Sequence, residues 1–236
     1  MIFAVLLVGL LLFVLIDVPI AVALGAVSVL AMVVTGGSEV LPSAALVMFD
    51  GVTKFPLIAI PLFILAGAIM NASGISTRLV AFASALLGFV RGGLAMVTIG
   101  ASLFFAEISG SAVADVAALG SILIPAMKKK GYPTPFAAAI TSSSATLAVI
   151  IPPSIPMILY AVMSGTSVVE LFVAGIIPGI LGGVLLMAVA YGLAVRHGYP
   201  VAEAFQVGRV WKTFKESCWA LLLPVVILGG IFSGWV

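Results

Sequence analysis

Two clusters of hydroxyl-bearing residues interrupt stretches of the sequence that are otherwise strongly apolar. The first is SGSAVAD at 109–115, where two serines and a glycine precede a carboxylate. Ser109 and Ser111 can satisfy the amides of a turn or offer oxygens to a hard cation, and Gly110 permits a turn that other residues resist. Asp115 stands one helical turn after Ser111, where a carboxylate either caps a helix N-terminus or lies near a bound ion. The cluster therefore predicts a turn that can bind a cation.

The second cluster, TSSSATLAVIIPPSIP at 141–156, combines hydroxyls with three prolines. In a helix each proline removes the hydrogen bond to the carbonyl four residues earlier. Pro152, Pro153 and Pro156 therefore free three carbonyls, those of Ala148, Val149 and Pro152. In membrane carriers such carbonyls face a cation and the N-termini of half-helices face an anion.

Ser154 follows this proline break directly and suits a role as substrate ligand or helix cap. The alternative is a simple kink whose carbonyls bond to water or to nearby hydroxyls. Those hydroxyls belong to Ser142, Ser143, Ser144 and Thr146. Three prolines beside two hydroxyl clusters favour the functional interpretation.

Composition identifies the elements that must position these clusters. The 236 residues are 64% hydrophobic and 8% charged, with a mean hydropathy of +1.40, whereas about a quarter of a soluble domain is charged. The chain is therefore predicted to be an all-α polytopic membrane protein. No nucleotide-binding or metal-binding motif occurs, which argues against ATP hydrolysis and redox chemistry, and no nucleic-acid partner is expected. Cys218 cannot form an internal disulfide, and His197 is interpreted as an interfacial residue.

Apolar runs recur along the whole chain, separated by short segments with glycine, proline and charge. They cover 2–16, 18–35, 57–73, 93–127, 134–163, 171–195 and 218–236. The segment 35–54 is interpreted as a loop. The first run is a retained helix and not a signal peptide, because no basic segment precedes it and no cleavage site follows.

Two of the runs do not fit a simple span. The segment between Lys130 and Glu170 has no charge and as a straight helix would be about twice as long as the hydrocarbon core is thick. The run 93–127 has two short arms around a polar centre that includes Glu107. We therefore expect a re-entrant hairpin at 93–127 and one broken span at 134–163.

The distribution of basic residues favours this folding. With one hairpin and one broken span, nine of the ten basic residues fall on the cytoplasmic face, which places the N-terminus outside. They are Arg78, Arg91, Lys128, Lys129, Lys130, Arg196, Arg209, Lys212 and Lys215, with Lys54 opposite. Two full crossings over 131–169 would split this set and are disfavoured. Residues 76–91 then form a helix along the inner surface.

The two polar clusters and their flanking segments resemble a known family. FFAEISGSAVADVAALGSILIPAMKKKGY at 104–132 and IIPPSIPMILY at 150–160 are similar to the DctM-type large membrane subunit of tripartite ATP-independent periplasmic (TRAP) transporters. Shorter matches occur at 20–25, 60–67 and 174–179. The resemblance extends over essentially the whole chain.

The resemblance implies a sodium-driven, elevator-type secondary transporter and not an enzyme. It implies residues 1–75 as scaffold helices, 76–92 as an interfacial connecting helix and 93–195 as half of a moving domain. Residues 196–217 become a cytoplasmic connector, and 218–236 become the start of a second inverted repeat, so that the chain is expected to be a fragment. The implied location is the bacterial inner membrane, with a periplasmic N-terminus.

The resemblance also implies site residues and partners. Sodium, the coupling ion and only expected metal, is assigned to Ser109, Gly110, Ser111, Asp115, Ser144 and Pro152. The solute is assigned to Ser143, Pro153 and Ser154. Expected partners are a periplasmic substrate-binding protein, a small four-helix membrane subunit of the DctQ type and the lipid bilayer.

The expected solute is an organic acid anion, such as a C4-dicarboxylate, sialic acid or a similar carboxylate. Two alternatives stay open. One is a proton-coupled carrier of the same architecture with Glu107 or Asp115 as the relay. The other is a membrane scaffold subunit that transports nothing.

Overall fold

The chain is helical over nearly all of the residues that the structure describes. This computed structural model describes the backbone of residues 2–233 and the side chains from residue 6 onward. Within that range it contains twelve α-helices and no extended strand. The chain divides into two compact units, one up to Phe55 and one from Pro56 onward. The expected all-α class is confirmed.

The described part of the first unit contains three α-helices. Helix α1 (Ile2–Leu15) and helix α2 (Ile20–Gly36) follow the first two apolar runs, and a 3₁₀ turn at Ser38–Val40 leads into helix α3 (Leu41–Val52). The sequence interpretation of residues 35–54 as a loop was therefore wrong. The glycines and charges suggested a loop, but Pro42 in the first turn suits a helix start and Asp50 pairs with Lys54 at 2.8 Å near the end of α3.

The second unit contains nine of the described helices. They are α4 (Ala59–Ala72), α5 (Ile75–Leu87), α6 (Gly93–Ser109), α7 (Ala112–Lys129), α8 (Thr134–Ala145), α9 (Leu147–Ile150), α10 (Ile155–Ser164), α11 (Val168–His197) and α12 (Val207–Ser233). The long uncharged segment is thus divided into α8, α9 and α10. The axis bends by 40° between Ile150 and Ile155.

Helix α6 is the centre of this unit. Its buried residues lie on every side, and it packs against α4, α5, α7, α8, α9, α11 and α12. Helices α6 and α7 form an antiparallel hairpin, since Gly110 and Ser111 connect them at one end and Thr98 Oγ1 lies 3.8 Å from Met127 Sδ near the other. Apolar side chains of all sizes fill the core around α6, and the alanines among them allow neighbouring helices to approach closely.

Three described helical segments are long and apolar enough to cross a membrane. They are Phe55–Ala72, α11 and α12, and the bent α8–α10 segment can be added as a fourth. Helix α12 is continuous from Val207 to Ser233, so it runs through the boundary expected between a connector ending at 217 and an apolar helix starting at 218. The charges before Ser217 occupy the first turns of the same helix and do not end it.

The connection between α5 and α6 is tied to the segment that follows α11. Helix α5 ends at Leu87, and the carbonyl of Gly88 accepts hydrogen bonds from the amides of Ala202 and Glu203 at 2.9 and 3.1 Å. Phe89 also contacts Phe205 edge to face, with 5.1 Å between ring centroids. The helix expected at 76–91 therefore ends earlier, at Leu87, and is followed by a turn that is hydrogen-bonded to Ala202 and Glu203.

Candidate functional site

The first cluster forms the tip of the α6–α7 hairpin. Helix α6 ends at Ser109, Gly110 takes a left-handed conformation with φ of 57°, and Ser111 is extended. The Ser111 hydroxyl accepts a hydrogen bond from the amide of Ala114 at 3.4 Å and so caps α7. The chain reverses here because glycine adopts this conformation without the steric penalty of a Cβ.

Asp115 points back across this turn and does not act as the helix cap. Ser109 Oγ donates to Asp115 Oδ1 at 2.5 Å, and the Ser111 amide donates to Ser109 Oγ at 3.2 Å. Asp115 is fully buried, and its Oδ2 has no hydrogen-bond partner among the described residues. A buried carboxylate oxygen is costly unless a hydrogen bond, a cation or a proton satisfies it. Asp115 Oδ2 at the tip is therefore suited to accept a hydrogen bond, a cation or a proton.

The second cluster forms the break between α9 and α10. Residues 151–154 are buried and non-helical. Ser154 Oγ donates to the carbonyl of Val149 at 2.8 Å, so one of the three carbonyls that we expected to be free is satisfied inside the protein. Pro156 lies in the first turn of α10, where its missing amide removes no helical hydrogen bond. The break therefore arises from Pro152 and Pro153, and the expectation for Pro156 was wrong.

The other hydroxyls of this cluster do not satisfy the freed carbonyls. Ser142, Ser144 and Thr146 each donate to a carbonyl three or four residues earlier on their own segment. The freed carbonyl of Val149 is instead bonded by the hydroxyl of Ser154, which follows the break. The alternative in which neighbouring hydroxyls before the break satisfy its carbonyls is therefore not what the structure has.

The hairpin tip and the proline break are in direct contact. The amide of Ile155 donates to the carbonyl of Gly110 at 3.1 Å. A Cβ added to Gly110 would lie 2.8 Å from the carbonyl oxygen of Pro153, so the two backbones pack as closely as glycine allows. Two clusters 40 residues apart in sequence thus form one site, which the sequence analysis had not joined.

Two of the expected site residues lie apart from this contact. Ser144 is buried and accepts a hydrogen bond from Ser102 Oγ at 2.9 Å. Because Ser102 precedes Ser109 by seven residues on α6, this pair lies about 10 Å from the tip along the helix axis. Ser143 is exposed on α8. The structure therefore joins Ser109, Gly110, Ser111, Asp115, Pro153 and Ser154, with Pro152 buried in the break beside them.

Ser102 is the polar residue at the centre of the unit that sequence reasoning missed. A serine inside an apolar helix usually bonds to its own backbone, and only the packing of α6 against α8 identifies this one as an interhelical donor. Glu107 is partly buried, and among the described residues it takes no part in an ion pair or a side-chain hydrogen bond. Neither of the described ion pairs lies at the tip, since these join Lys54 to Asp50 and Arg209 to Glu203.

Replacing Ser102 with alanine tests the link between α6 and α8. The Ser144 hydroxyl still donates to Thr141 O at 3.1 Å, so the change removes one buried interhelical bond without leaving an unsatisfied donor. We expect a loss of about 1 kcal/mol, measured as a lower thermal unfolding midpoint in detergent. Ser121→Ala is the control, because Ser121 is exposed and its one hydrogen bond within the described residues is to Ala118 O of its own helix. Equal midpoints for the two variants would contradict the link.

The hairpin, the broken helix and the long apolar helices together define an all-helical integral membrane protein. Residues 7–236 match the family model described as the tripartite ATP-independent periplasmic transporter, DctM component. The chain belongs to this family, whose members are transporter permeases of the bacterial inner membrane and not enzymes.

Curated relatives agree with this assignment. The chain is 44% identical over 227 residues to the isethionate TRAP transporter permease protein DctMQ of Oleidesulfovibrio alaskensis, covering 94% of this chain and 35% of the relative. It is 38% identical over 230 residues to the C4-dicarboxylate TRAP transporter large permease protein DctM of Rhodobacter capsulatus, covering 92% and 52%. It is 40% identical over 205 residues to the sialic acid TRAP transporter large permease protein SiaM of Vibrio cholerae, covering 87% and 48%. The chain thus spans about half or less of the length of these relatives.

Proposed function

We propose that this chain forms part of the large membrane subunit of a sodium-coupled secondary transporter that imports organic acid anions. One observation carries the proposal: a buried oxygen of Asp115, without a partner in the described part of the chain, lies beside two serines at a turn whose backbone contacts a broken helix. Carboxylate, hydroxyl and carbonyl oxygens are the groups that bind hard cations. The C-terminal end of α6 adds the negative end of a helix dipole.

The sodium ion in this proposal binds at the tip. Asp115 Oδ2 and the hydroxyl of Ser111 supply side-chain oxygens, and the carbonyls of Gly110 and of the break at Pro152 complete the shell. Ser144 acts more remotely, because its hydroxyl is engaged with Ser102 and Thr141. Its role is to hold α8 against α6 so that the break stays against the tip.

The solute binds on the α10 side of the same contact. Ser154 is the N-cap residue of α10, and the N-terminus of a half-helix attracts anions. Its hydroxyl donates to Val149 O, so Ser154 would contribute its backbone amide, together with the first turn of α10, to the positive end of the dipole. Pro153 has no amide hydrogen and would only shape the backbone beside the solute. The relatives are named for isethionate, C4-dicarboxylates and sialic acid, which all carry an acidic group. Ser143 would contact the solute only from the exposed face of α8.

The architecture that we propose for transport is the one expected for the DctM family. The α6–α7 hairpin is re-entrant, α8–α10 is one broken span, and residues 93–195 move as part of an elevator domain past scaffold helices in 1–75. Residues 76–92 connect the two parts at the inner surface, and the N-terminus is periplasmic. A periplasmic substrate-binding protein and a small four-helix subunit of the DctQ type complete the transporter in the lipid bilayer.

Exchanging Ser111 for alanine tests the sodium site. We expect uptake driven by a sodium gradient to fall at least about tenfold, because an ion ligand is lost together with a helix cap. The measurement is solute uptake into proteoliposomes that hold the permease containing this sequence, its small partner and its binding protein. Uptake is compared with and without sodium.

The matched control is Ser167→Ala. Ser167 caps α11 and accepts from the amide of Glu170 at 3.4 Å, the same distance as the cap made by Ser111. Both variants lose a cap that contributes about 1 kcal/mol, so a purely structural role predicts equal effects. Normal sodium-dependent uptake in Ser111→Ala would exclude Ser111 from the ion site.

A proton-coupled carrier is the second candidate. The observation that favours it is again the unpartnered Oδ2 of Asp115, because a proton can satisfy a buried carboxylate oxygen as a cation does. Uptake that is driven by an imposed pH gradient and is independent of sodium would support this candidate.

A further inference from the structure

Helix α12 changes character along its length. All of its charged residues, Arg209, Lys212, Lys215 and Glu216, precede Ser217, and the described residues after it are uncharged. The helix therefore passes from a basic segment directly into an apolar one. In a membrane protein this change marks the level of the lipid headgroups.

One side of α12 is held by the protein. Ser217 Oγ donates to the carbonyl of Arg78 on α5 at 3.1 Å, and the ring of Phe214 lies 5.8 Å from that of Phe82. Thr213 and Ala220 are buried on the same side. These contacts fix how the helix is rotated about its axis.

The opposite side is exposed and carries two tryptophans with a lysine between them. Trp211, Lys215 and Trp219 are spaced four residues apart and so lie on one face. Trp211 is 58% exposed and Trp219 is 83% exposed. Lys215 Nζ lies 5.2 Å from the centre of the Trp211 ring. The three side chains span about 12 Å of helix.

Positive charge predominates around this face. Arg209 pairs with Glu203, but Arg78, Lys212 and Lys215 are exposed, and none of them forms an ion pair within the described part of the chain. Glu216 is the exposed acid beside them. A group of basic residues next to an apolar span attracts anionic lipids, and tryptophans are enriched at the headgroup level.

We propose that the face of α12 formed by Trp211, Lys212, Lys215 and Trp219 binds the headgroups of anionic phospholipids. The lysines contact the phosphate, and the indole rings lie beside the glycerol and acyl-chain region. Lys215 over the Trp211 ring places its charge close to the helix surface, where a headgroup phosphate can reach both lysines. The site is separate from the hairpin tip and does not depend on the proposed transport function.

Tryptophan fluorescence tests the proposal. The permease containing this sequence is placed in vesicles of phosphatidylcholine and phosphatidylglycerol. Bromine is carried by the phosphatidylglycerol in one preparation and by the phosphatidylcholine in the other. The total composition and surface charge are the same in both. Every other tryptophan of the permease, Trp235 included, is replaced by phenylalanine, so that Trp211 and Trp219 report. We expect stronger quenching by brominated phosphatidylglycerol, with an apparent preference of about fivefold or more that weakens at high salt.

Two double variants of equal charge change identify the residues. Lys212→Gln with Lys215→Gln is expected to remove the preference, whereas Lys128→Gln with Lys129→Gln at the end of α7 is expected to keep it. Equal quenching by the two brominated lipids would overturn the proposal. So would an absence of quenching, which would mean that protein covers this face, or a preference that survives in the Lys212 and Lys215 variant.

Discussion

Replacing Gly110 with alanine is expected to separate the hairpin tip from the proline break and to abolish uptake. The left-handed conformation at this position costs alanine about 1–2 kcal/mol. The added Cβ would also lie 2.8 Å from Pro153 O and 3.3 Å from the amide nitrogen of Ile155. These are backbone atoms that cannot rotate away, so a further loss of about 1–3 kcal/mol is expected. Thermal unfolding in detergent and uptake into proteoliposomes measure the two effects.

Gly131→Ala is the matched control for this variant. Gly131 also has a left-handed φ, of 84°, but it is exposed and no atom lies within 4 Å of its added Cβ. It therefore has the same kind of backbone penalty without the collision. If Gly110→Ala lowered the unfolding midpoint no more than Gly131→Ala and retained uptake, the tip and the break would not need their close contact.

Replacing Asp115 with asparagine is expected to weaken the dependence of uptake on sodium strongly while the protein stays folded. Asparagine has nearly the same shape, and its Oδ1 can still accept the hydrogen bond that Ser109 donates at 2.5 Å. The change removes the negative charge and replaces the orphaned Oδ2 with an amide that cannot bind a cation. We expect the sodium concentration for half-maximal uptake to rise at least about tenfold, as for the loss of a charged ligand.

Asp50→Asn controls for the loss of one carboxylate. Asp50 is exposed and pairs with Lys54 at 2.8 Å, and an ion pair of this kind contributes little. This variant is expected to keep normal sodium dependence. Unchanged sodium dependence in Asp115→Asn would remove Asp115 from the ion site. The proton-coupled alternative would be supported if uptake by the unmodified transporter were driven by a pH gradient and independent of sodium, and if Asp115→Asn abolished that uptake.

The sequence alone identified both backbone irregularities that form the site. Gly110 between two serines indicates a reversal because few other residues tolerate a left-handed turn, and the Pro152–Pro153 pair removes two amides that a helix needs. Such features depend on a few neighbouring residues, so they can be predicted without knowledge of the tertiary structure. The helical class followed from composition in the same way.

The partners of these features could not be read from the sequence. The bond between Ser102 and Ser144 and that between Ile155 and Gly110 depend on how each helix is rotated and how far it slides along its neighbour. Serines that bond to their own helix, such as Ser121 and Ser142, look the same in the sequence as Ser102. Helix α3 was missed for a related reason, because its charged residue, Asp50, lies at an exposed position that a helix accepts as readily as a loop does.

The hydrogen bond from Ile155 to Gly110 also has a consequence for biosynthesis. Ile155 is the first residue of α10, so its amide has no acceptor within its own helix, and Gly110 supplies that acceptor from a turn made 45 residues earlier. The ribosome therefore delivers the acceptor before the donor. Until residue 155 has been synthesised, the Gly110 carbonyl lacks this partner, so the contact between the tip and the break forms only after α10 has begun.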